Sequence, residues 1–575
     1  MNRWSALAVL LAIAGALALR VPRLDTRPLH NDEAVNAIKV SELWEYGRYK
    51  YDPDEYHGPT LHYATLPFLW LSGARSSDEL KDATLRVAPV AFGVGLILLL
   101  LLFVDGLGRQ TVAWAAIFTA ISPAMAFYSR YFIHEMLLVF FTTLTIAAAF
   151  RYVQAQGRAT LSSARRGDLP TDAASTQCIA RPTEDSVALP SPDRSAPVGG
   201  SYTSARWAVL MGAGFGLMFA TKETFVLTVA AIGLAALATV WWTKPKGARL
   251  QTLCHLWNWK HAALASSVAL LVWLLFFSSF FTNFTGLLDS VRTYLPWLKR
   301  AGGHSPHIHP WTFYLERLAW FHPAKGPVWS EGLILALAVV GAIVSFAGKN
   351  PLQRFIALHT IILTAIYSAI SYKTPWCLLN FYLGTILLAG VGAAALVEFF
   401  RAPALRVAVL TLLILAALQL SLQAWCASFG RAWNFQWRSG HLRIALPIDR
   451  RNPYVYAQTS PDILNLVQRT EGIARIAPAG FETVVKVIAP ESDYWPLPWY
   501  LRRFKHIGWY EKLPDDAFAP IVVVSSKLDA RLDEKSERKW IMVGLTELRP
   551  GKFFEQYVEL ELWKKYVETL PRERE

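Results

Sequence analysis

Acidic and imidazole side chains cluster in the first long loop that follows the apolar N-terminal stretch. Asp32 and Glu33 are adjacent there, with His30 just before them and His57 further along the loop. A carboxylate can accept the proton that an attacking hydroxyl group loses as it reacts. Asp32 and Glu33 are therefore the candidates for acid–base chemistry.

Basic side chains that can hold a phosphate group occur in three later clusters. Arg130, Lys222 and Lys373 each lie close to the end of an apolar stretch. Arg and Lys can neutralise a phosphate oxygen as its bond to a sugar breaks. Mixed acids and bases of this kind favour a reaction between a hydroxyl and a phosphate. The residues predicted to line the same site are His30, His57, Glu135, Glu223 and Trp376.

Two sets of side chains have the chemistry of metal ligands. Asp32, Glu33 and His57 can together hold a divalent metal, although no cofactor is required because Arg and Lys already balance the phosphate charge. The second set comprises His304, His307, His309 and His322. Because the spacing of these histidines matches no standard zinc pattern, a solvated loop with prolines is the favoured interpretation.

The composition predicts a chain with much of its surface in lipid. Of its 575 residues, 53% are hydrophobic and 17% charged, whereas soluble proteins carry about 25% charged residues. A membrane-spanning helix needs about 20 largely apolar residues. Eleven runs come near that length: 4–21, 86–104, 111–127, 135–152, 206–220, 225–243, 261–282, 331–347, 352–370, 377–397 and 404–425. The stretch 57–73, broken by histidines and prolines, predicts a helix along the membrane surface.

Basic residues fix the predicted orientation of these spans. With the N-terminus in the cytoplasm, every second loop is predominantly basic, as the positive-inside rule requires. These loops contain Arg109, Lys244, Lys349 and Arg401. The net charge of +14 is thus a topology signal in a cytoplasmic (inner) membrane and does not indicate a nucleic-acid partner. All candidate site residues then face away from the cytoplasm.

This sidedness limits the chemistry of a sugar donor. Nucleotide sugars are cytoplasmic, so a sugar transfer on the outer face needs a donor held in the membrane. A polyprenyl-phosphate-linked sugar meets that requirement, with its tail between helices in contact with membrane lipid. The acceptor, whether protein, lipid or glycan, is not identified by the sequence.

The N-terminal segment and the cysteines each leave a question open. Met1 to Arg20 is either a signal peptide cleaved near Ala16-Leu17-Ala18 or an uncleaved first span, and the many later spans favour the second. Four cysteines form no disulfide framework. A single bridge between Cys377 and Cys426 is conceivable, because both are predicted near outer helix ends.

Two changes of composition divide the chain. Residues 1–427 form the predicted transmembrane domain, in which 154–204 has almost no aromatics and predicts a disordered cytoplasmic insert. Residues 428–575 predict a soluble, extracytoplasmic α/β domain. Its predicted strands are Tyr454–Gln458, Thr483–Ile488 and Ile521–Ser525, and its clearest helix is Asp462–Ile476.

The arrangement resembles the GT-C superfamily of membrane glycosyltransferases, in the clan of protein O-mannosyltransferases and lipid A aminoarabinose transferases. An N-terminal span, an Asp-Glu pair in a long outer loop and a Pro-bearing surface segment carry this resemblance. Shorter motifs look like a prokaryotic family called flippase-activity-associated, and similarity covers nearly the whole chain except 154–204. These motifs are Leu29-His30-Asn31-Asp32-Glu33-Ala34, Tyr56-His57-Gly58-Pro59, Ala220-Thr221-Lys222-Glu223, Lys373-Thr374-Pro375-Trp376 and Glu491-Ser492-Asp493-Tyr494-Trp495-Pro496.

The resemblance implies a GT-C-like polytopic α-helical membrane protein with about 11 transmembrane helices, acting as an inverting glycosyltransferase. Asp32 would be the general base or its partner, and Glu33 would orient the donor or a metal. Arg130, Lys222 and Lys373 would hold the lipid phosphate.

Two other classes of function fit parts of the pattern. A transporter or flippase for lipid-linked sugars would place its binding residues near the bilayer midplane and within repeated halves. Here the charges lie at one set of helix ends and no internal repeat is visible. A non-catalytic scaffold would use the outer domain to bind envelope components, and the intact Asp32 and Glu33 argue against it.

Overall fold

The protein consists of a helical bundle followed by a domain built on one mixed β-sheet. The computed structural model describes residues 3–54, 57–166, 199–249, 258–301, 307–323, 326–430 and 448–571. The first half of the bundle contains helices α1 Arg3–Arg20, α2 Asn31–Tyr46, α3 Thr60–Ser72, α4 Asp82–Leu100, α5 Val104–Leu107, α6 Arg109–Ile121, α7 Pro123–Tyr128, α8 Glu135–Arg166, α9 Gly199–Phe219 and α10 Phe225–Thr243. The second half contains α11 Trp259–Phe277, α12 Thr285–Arg292, α13 Tyr294–Ala301, α14 Phe313–Ala319, α15 Gly332–Ala347, α16 Pro351–Ala369, α17 Leu379–Phe399 and α18 Pro403–Phe429.

Eight helical segments in the described part of the chain are long and apolar enough to cross a membrane. They are Arg3–Arg20, Asp82–Leu107, Glu135–Gly157, Phe225–Thr243, Trp259–Phe277, Pro351–Ala369, Pro375–Phe399 and Pro403–Phe429. This confirms a multi-pass membrane protein. The count of eleven stays a prediction, because the remaining three predicted runs correspond to shorter or less apolar helices. One of them, 111–127, is divided between α6 and α7, where Ser122 caps the second helix ahead of Pro123.

Two predicted segments between the spans contain helices. The stretch 57–73, predicted to be a helix along the membrane surface, contains α3 with Pro67 inside it. The predicted insert 154–204 is helical at both ends, because α8 extends to Arg166 and α9 begins at Gly199. The centre of the insert, 167–198, lies outside the described residues.

Close helix packing within the bundle depends on small residues along α9. A Cβ atom at Gly212 would meet the Ala265 backbone oxygen at 2.2 Å, and one at Gly214 would meet Thr145 Oγ1 at 2.4 Å. Neither contact is sterically allowed, so these glycines let α9 pack directly against α8 and α11.

The C-terminal domain contains a five-stranded sheet in the order β2-β1-β3-β5-β4. The strands are β1 Val485–Ile488, β2 Ile507–Tyr510, β3 Ile521–Ser525, β4 Trp540–Arg549 and β5 Lys552–Glu559. Strands β1, β2 and β3 are parallel, whereas β5 is antiparallel to both β3 and β4. The helices of this domain are α19 Asp462–Ile476, α20 Leu497–Tyr500, α21 Leu532–Lys535 and α22 Leu560–Thr569. The predicted α/β domain, its helix at Asp462–Ile476 and two of its three strands are confirmed.

The predicted strand Tyr454–Gln458 is wrong. This segment forms no strand and instead packs against the helical bundle. The hydroxyl of Tyr454 donates to the Glu331 carboxylate at 2.6 Å, and Tyr131 donates to the Gln458 side chain. Its aromatic residues are therefore apolar because they pack against helices. A short stretch of sequence does not distinguish such packing from burial in a sheet.

The C-terminal domain is docked on the start of α4. Trp499 Nε1 and the Tyr500 hydroxyl each donate to the Asp82 carboxylate at 2.8 Å. Arg502 donates to the backbone oxygens of Ser77 and Leu80 at 3.1 and 2.7 Å. The Asp82 carboxylate accepts from two aromatic side chains of the C-terminal domain and so joins the two parts of the molecule. Elsewhere, Cys377 and Cys426 are free thiols, so the disulfide considered between them is not formed.

Candidate active site

Glu33 is a buried structural anchor at the start of α2. Its carboxylate accepts two hydrogen bonds from Arg86, both at 2.8 Å, one from the Phe132 backbone N–H at 2.8 Å and one from His30 N–H at 2.9 Å. Burial alone would raise the pKa of Glu33, but Arg86 outweighs it and lowers that pKa to about 2. With no exposed surface and four donors in place, Glu33 positions the loop. It is not available to a donor or a metal as the sequence analysis implied.

Asp32, its neighbour, points the other way. The Asp32 side chain is 45% exposed, and its Oδ1 lies 3.7 Å from His30 Nδ1. His30 caps α2, because its Nδ1 accepts the Asp32 backbone N–H at 3.2 Å while its own N–H binds Glu33. This capping box fixes the first turn of the helix. It leaves the Asp32 carboxylate accessible at a helix N-terminus, where a negative charge is favoured.

Aromatic side chains from distant segments surround His30. Trp376 meets the His30 ring edge-on at a centroid distance of 5.5 Å, and Tyr456 lies 6.0 Å from Trp376. The Tyr456 hydroxyl also forms a hydrogen bond of 2.6 Å with His307 Nδ1. Trp376 thus lines the site as predicted. Tyr456 was not predicted, because it lies more than 400 residues from His30 in the sequence.

The C-terminal domain contributes a second boundary of the site. When the Asn31 amide is oriented to satisfy both its atoms, its nitrogen donates to the Trp495 oxygen at 3.0 Å and its oxygen accepts from Arg549. Arg549 Nη2 donates to Asp493 Oδ1 at 2.9 Å, and Arg549 interacts electrostatically with Asp32. The end of β4 therefore lies beside the first turn of α2.

Arg130 has partners within the protein. Its guanidinium donates to the backbone oxygens of Arg20, Pro22 and Arg23 at 2.8, 2.6 and 2.7 Å, and it lies over the Phe429 ring at 4.4 Å. These carbonyls include the end of α1, a position that favours a cation. Burial, reinforced by nearby arginines, lowers the pKa of Arg130 to about 8. The predicted phosphate contact of Arg130 is replaced here by a helix-capping contact.

Lys222 forms a buried ion pair with Glu135, which brings two predicted site residues together. Burial would lower the pKa of Lys222, but the Glu135 carboxylate outweighs it and holds that pKa well above its usual range. An ammonium has three donors, and Glu135 takes one of them. Lys222 therefore stays charged and keeps donor capacity.

His57 and Glu223 form the outer edge of the same cluster. His57 Nδ1 lies 3.0 Å from Glu223 Oε2, and the His57 side chain is 29% exposed. Gly58 explains the close approach of the two loops, since a Cβ atom there would meet the Ala220 backbone oxygen at 2.1 Å. The Gly58 N–H donates to the Thr221 oxygen at 3.0 Å. The segments 57–59 and 220–223 therefore lie directly against each other.

Lys373 lies in a different environment. Its Nζ donates to the backbone oxygens of His309, at 3.1 Å, and Ile370. Burial lowers the pKa of Lys373. The structure gives Lys373 only loop-holding contacts, so its predicted role toward a phosphate rests on sequence alone.

No metal cluster occurs within the described ranges. No group of three or more His, Cys, Asp or Glu side chains there is arranged to hold a metal ion. Asp32, Glu33 and His57 do not converge, because Glu33 is bound to Arg86 and His57 to Glu223. His304 and its neighbours at 302–306 lie outside the described residues.

A large apolar cavity opens beneath the Lys222 cluster. It has a volume of about 1730 Å³ and lies between α8, α9, α10 and α11. Met218 and Phe219 line one end, immediately before the turn that carries Lys222, and Asp105 and Lys244 line the other. The cavity therefore runs along the spans, and its lining on α9 stops at Phe219, three residues before Lys222.

Comparisons with known proteins agree with this architecture. A sequence model of the dolichyl-phosphate-mannose-protein mannosyltransferase family matches residues 61–164. ArnT from Cupriavidus metallidurans bound to undecaprenyl phosphate superposes with a TM-score of 0.60 at 14% identity, covering 96% of this chain and 98% of that one. The chain therefore shares the fold of ArnT over nearly its whole length.

A second solved structure extends the GT-C comparison. The archaeal oligosaccharyltransferase AglB from Archaeoglobus fulgidus, in complex with an inhibitory peptide and a dolichol-phosphate, gives a TM-score of 0.53 at 13% identity. That alignment covers 92% of this chain and 70% of AglB. No curated protein matches the sequence of this chain. The finer resemblance to the flippase-activity-associated family stays a prediction.

Two charged residues of the candidate site were not predicted from the sequence. Arg86, the partner of Glu33, lies inside an apolar run, and a charge in that setting is itself a signal of function or pairing. Arg549 has no such signal, because it lies in an ordinary amphipathic strand of a separate domain. Only the docking of that domain reveals its place beside Asp32.

Proposed function

We propose that this protein transfers a sugar from a polyprenyl-phosphate donor to a hydroxyl acceptor on the extracytoplasmic face of the cytoplasmic membrane. The observation that carries the proposal is the contrast within the acidic pair. Glu33 is fully buried and bound to Arg86, which fixes the loop, whereas the adjacent Asp32 carboxylate is accessible. A rigidly held, exposed carboxylate is what a general base requires.

In the proposed reaction, the acceptor hydroxyl transfers its proton to the Asp32 carboxylate as its oxygen attacks the anomeric carbon. The bond between that carbon and the phosphate oxygen breaks, and the electron pair leaves with the polyprenyl phosphate. Attack opposite to the leaving group inverts the configuration of the sugar. The negative charge that develops on the phosphate needs a positive partner.

Lys222 is the cation best suited to that phosphate. It is charged, it retains donors beyond its bond to Glu135, and it lies three residues after Phe219 of the cavity wall. A polyprenyl tail in the cavity would place its phosphate at this end. The undecaprenyl phosphate of ArnT and the dolichol-phosphate of AglB are ligands of the same chemical class, which supports this choice of donor.

The proposed step needs no cofactor, because Lys222 supplies the positive charge. A divalent cation bound to the donor phosphate would supplement that charge. The site's position follows from the topology that the basic loops predict, with the N-terminus in the cytoplasm and the C-terminal domain outside. The acceptor is then an extracytoplasmic protein, lipid or glycan.

The test is Asp32→Asn in purified, lipid-reconstituted protein, supplied with a polyprenyl-phosphate sugar and an acceptor. Loss of the base should lower kcat by about 10²-fold to 10⁴-fold. Asp54→Asn, at an exposed acid of the same loop, is the matched control and should keep full activity. Transfer by Asp32→Asn at the normal rate would contradict the assignment of the base and would return the transport hypothesis to consideration.

A further inference from the structure

The contact between Asn31 and the C-terminal domain has a consequence for the chemistry of Asp32. Asn31 immediately precedes Asp32 and is held at both atoms of its amide by that domain, through the Trp495 oxygen and Arg549. Arg549 is in turn held by the backbone oxygen and Oδ1 of Asp493, at 3.1 and 2.9 Å. The first turn of α2 is thus fixed from outside the bundle.

The positive charge of the Arg549 guanidinium is only partly balanced by its neighbours, although the side chain is largely buried. Its side chain is 13% exposed, and its Nε is buried without a hydrogen-bond partner. The Asp493 carboxylate that it contacts also pairs with Lys552 and lies 3.6 Å from Lys527. Three cations therefore share one carboxylate, so Asp493 balances the charge of Arg549 only in part.

From this geometry we propose that Arg549 is a positioning residue for the transfer reaction. It orients the first turn of α2, and with it the Asp32 carboxylate, through its contact with Asn31. This proposal rests on the proposed role of Asp32 as the base. Its consequence is that the base is complete only when the C-terminal domain is docked, which gives that domain a part in the chemistry.

The experiment compares Arg549→Met, Arg549→Lys and the control Arg531→Gln, an exposed arginine of the same domain. Arg549→Met should lower kcat about 100-fold with little change in the KM for the lipid donor. Arg549→Lys keeps a donor for the Asn31 oxygen but lacks the planar fork of the guanidinium, so it should recover only part of the lost rate. Arg531→Gln should behave as the unaltered protein.

Asn31→Ala is a second variant that tests the same contact if Arg549→Met does not fold. It removes the contact from the α2 side and leaves the C-terminal domain unchanged, and it should lower kcat with little change in the KM for the lipid donor. Normal rates in Arg549→Met and Asn31→Ala, with Asp32→Asn inactive, would overturn this proposal and leave the proposed function intact. An active Asp32→Asn would instead overturn the proposed function.

Discussion

Asp32 and Glu33 differ in environment although they are neighbours on one helix turn. Glu33 is the third helical residue of α2, where its side chain reaches back to the His30 N–H and inward to Arg86. The buried pair links α2, α4 and the loop before α8. Removing one partner of such a pair leaves a buried charge uncompensated, which is far more costly than losing an exposed pair.

Glu33→Gln should lower the free energy of unfolding at neutral pH by about 3–5 kcal/mol. The pKa of Glu33 is lowered from 4.5 to about 2, so its stabilisation is complete above pH 4.5 and is lost as pH falls toward 2. That shift corresponds to about 3 kcal/mol. Thermal or denaturant unfolding in detergent, recorded between pH 2 and 7, measures both effects.

The control for this substitution is Glu42→Gln, at an exposed position of the same helix. It should leave both the stability and its pH dependence unchanged. Equal stability of Glu33→Gln and the unaltered protein at pH 7 would show that the Arg86 pair is not the anchor described above.

At the scale of elements, four helices enclose the apolar cavity. Small residues on α9 bring this helix against α8 and α11, yet a volume of about 1730 Å³ stays open between these helices and α10. A void of this size would be destabilising unless lipid or a ligand fills it, because its lining forfeits van der Waals contacts. The cavity is thus a feature of function more than of packing.

Ala149→Phe, which adds a ring to the cavity wall on α8, should raise the KM for a long-chain polyprenyl donor about tenfold. A donor with a short isoprenoid chain should be affected less, because it occupies less of the cavity. Steady-state transfer kinetics with both donors provide the measurement. Ala408→Phe adds the same ring to an exposed face of α18 and serves as the control. Equal effects of Ala149→Phe on both donors would argue against the cavity as the tail site.

At the scale of the whole molecule, the sheet domain and the bundle act as one unit around the site. Asp82 accepts from Trp499 and Tyr500, and Tyr500 also accepts the Leu29 backbone N–H at 2.7 Å. Leu29 immediately precedes His30. The docking contact and the candidate site therefore share one short loop, so a weaker docking contact should disturb the geometry of the site.

Asp82→Ala should weaken this dock by about 1–3 kcal/mol, because it leaves the Trp499 and Tyr500 donors without their buried acceptor. Hydrogen exchange at residues 497–502 should become faster in this variant. In Asp78→Ala the exchange should not change, since Arg502 contacts the backbone oxygen of Asp78, which the substitution preserves. Unaltered exchange in Asp82→Ala would show that other contacts hold the domain.

The sequence by itself determined the helical membrane architecture, the sheet domain and the importance of the loop at 29–34. These properties are local, since apolar length, β-strand alternation and a capping motif can each be recognised within a short window. It also named Lys222 and Glu135 as candidate site residues, and the structure joins the two in an ion pair that the sequence did not predict.

Only the tertiary structure decided which charged side chains pair with one another or with the backbone. Arg130 and Glu33 had the residue types of site groups, but packing binds them to backbone carbonyls and to Arg86. Arg549 reaches Asn31 across more than 500 residues of chain. Burial and partner choice are non-local, so the free acid could be distinguished from the buried one only after the chain was folded.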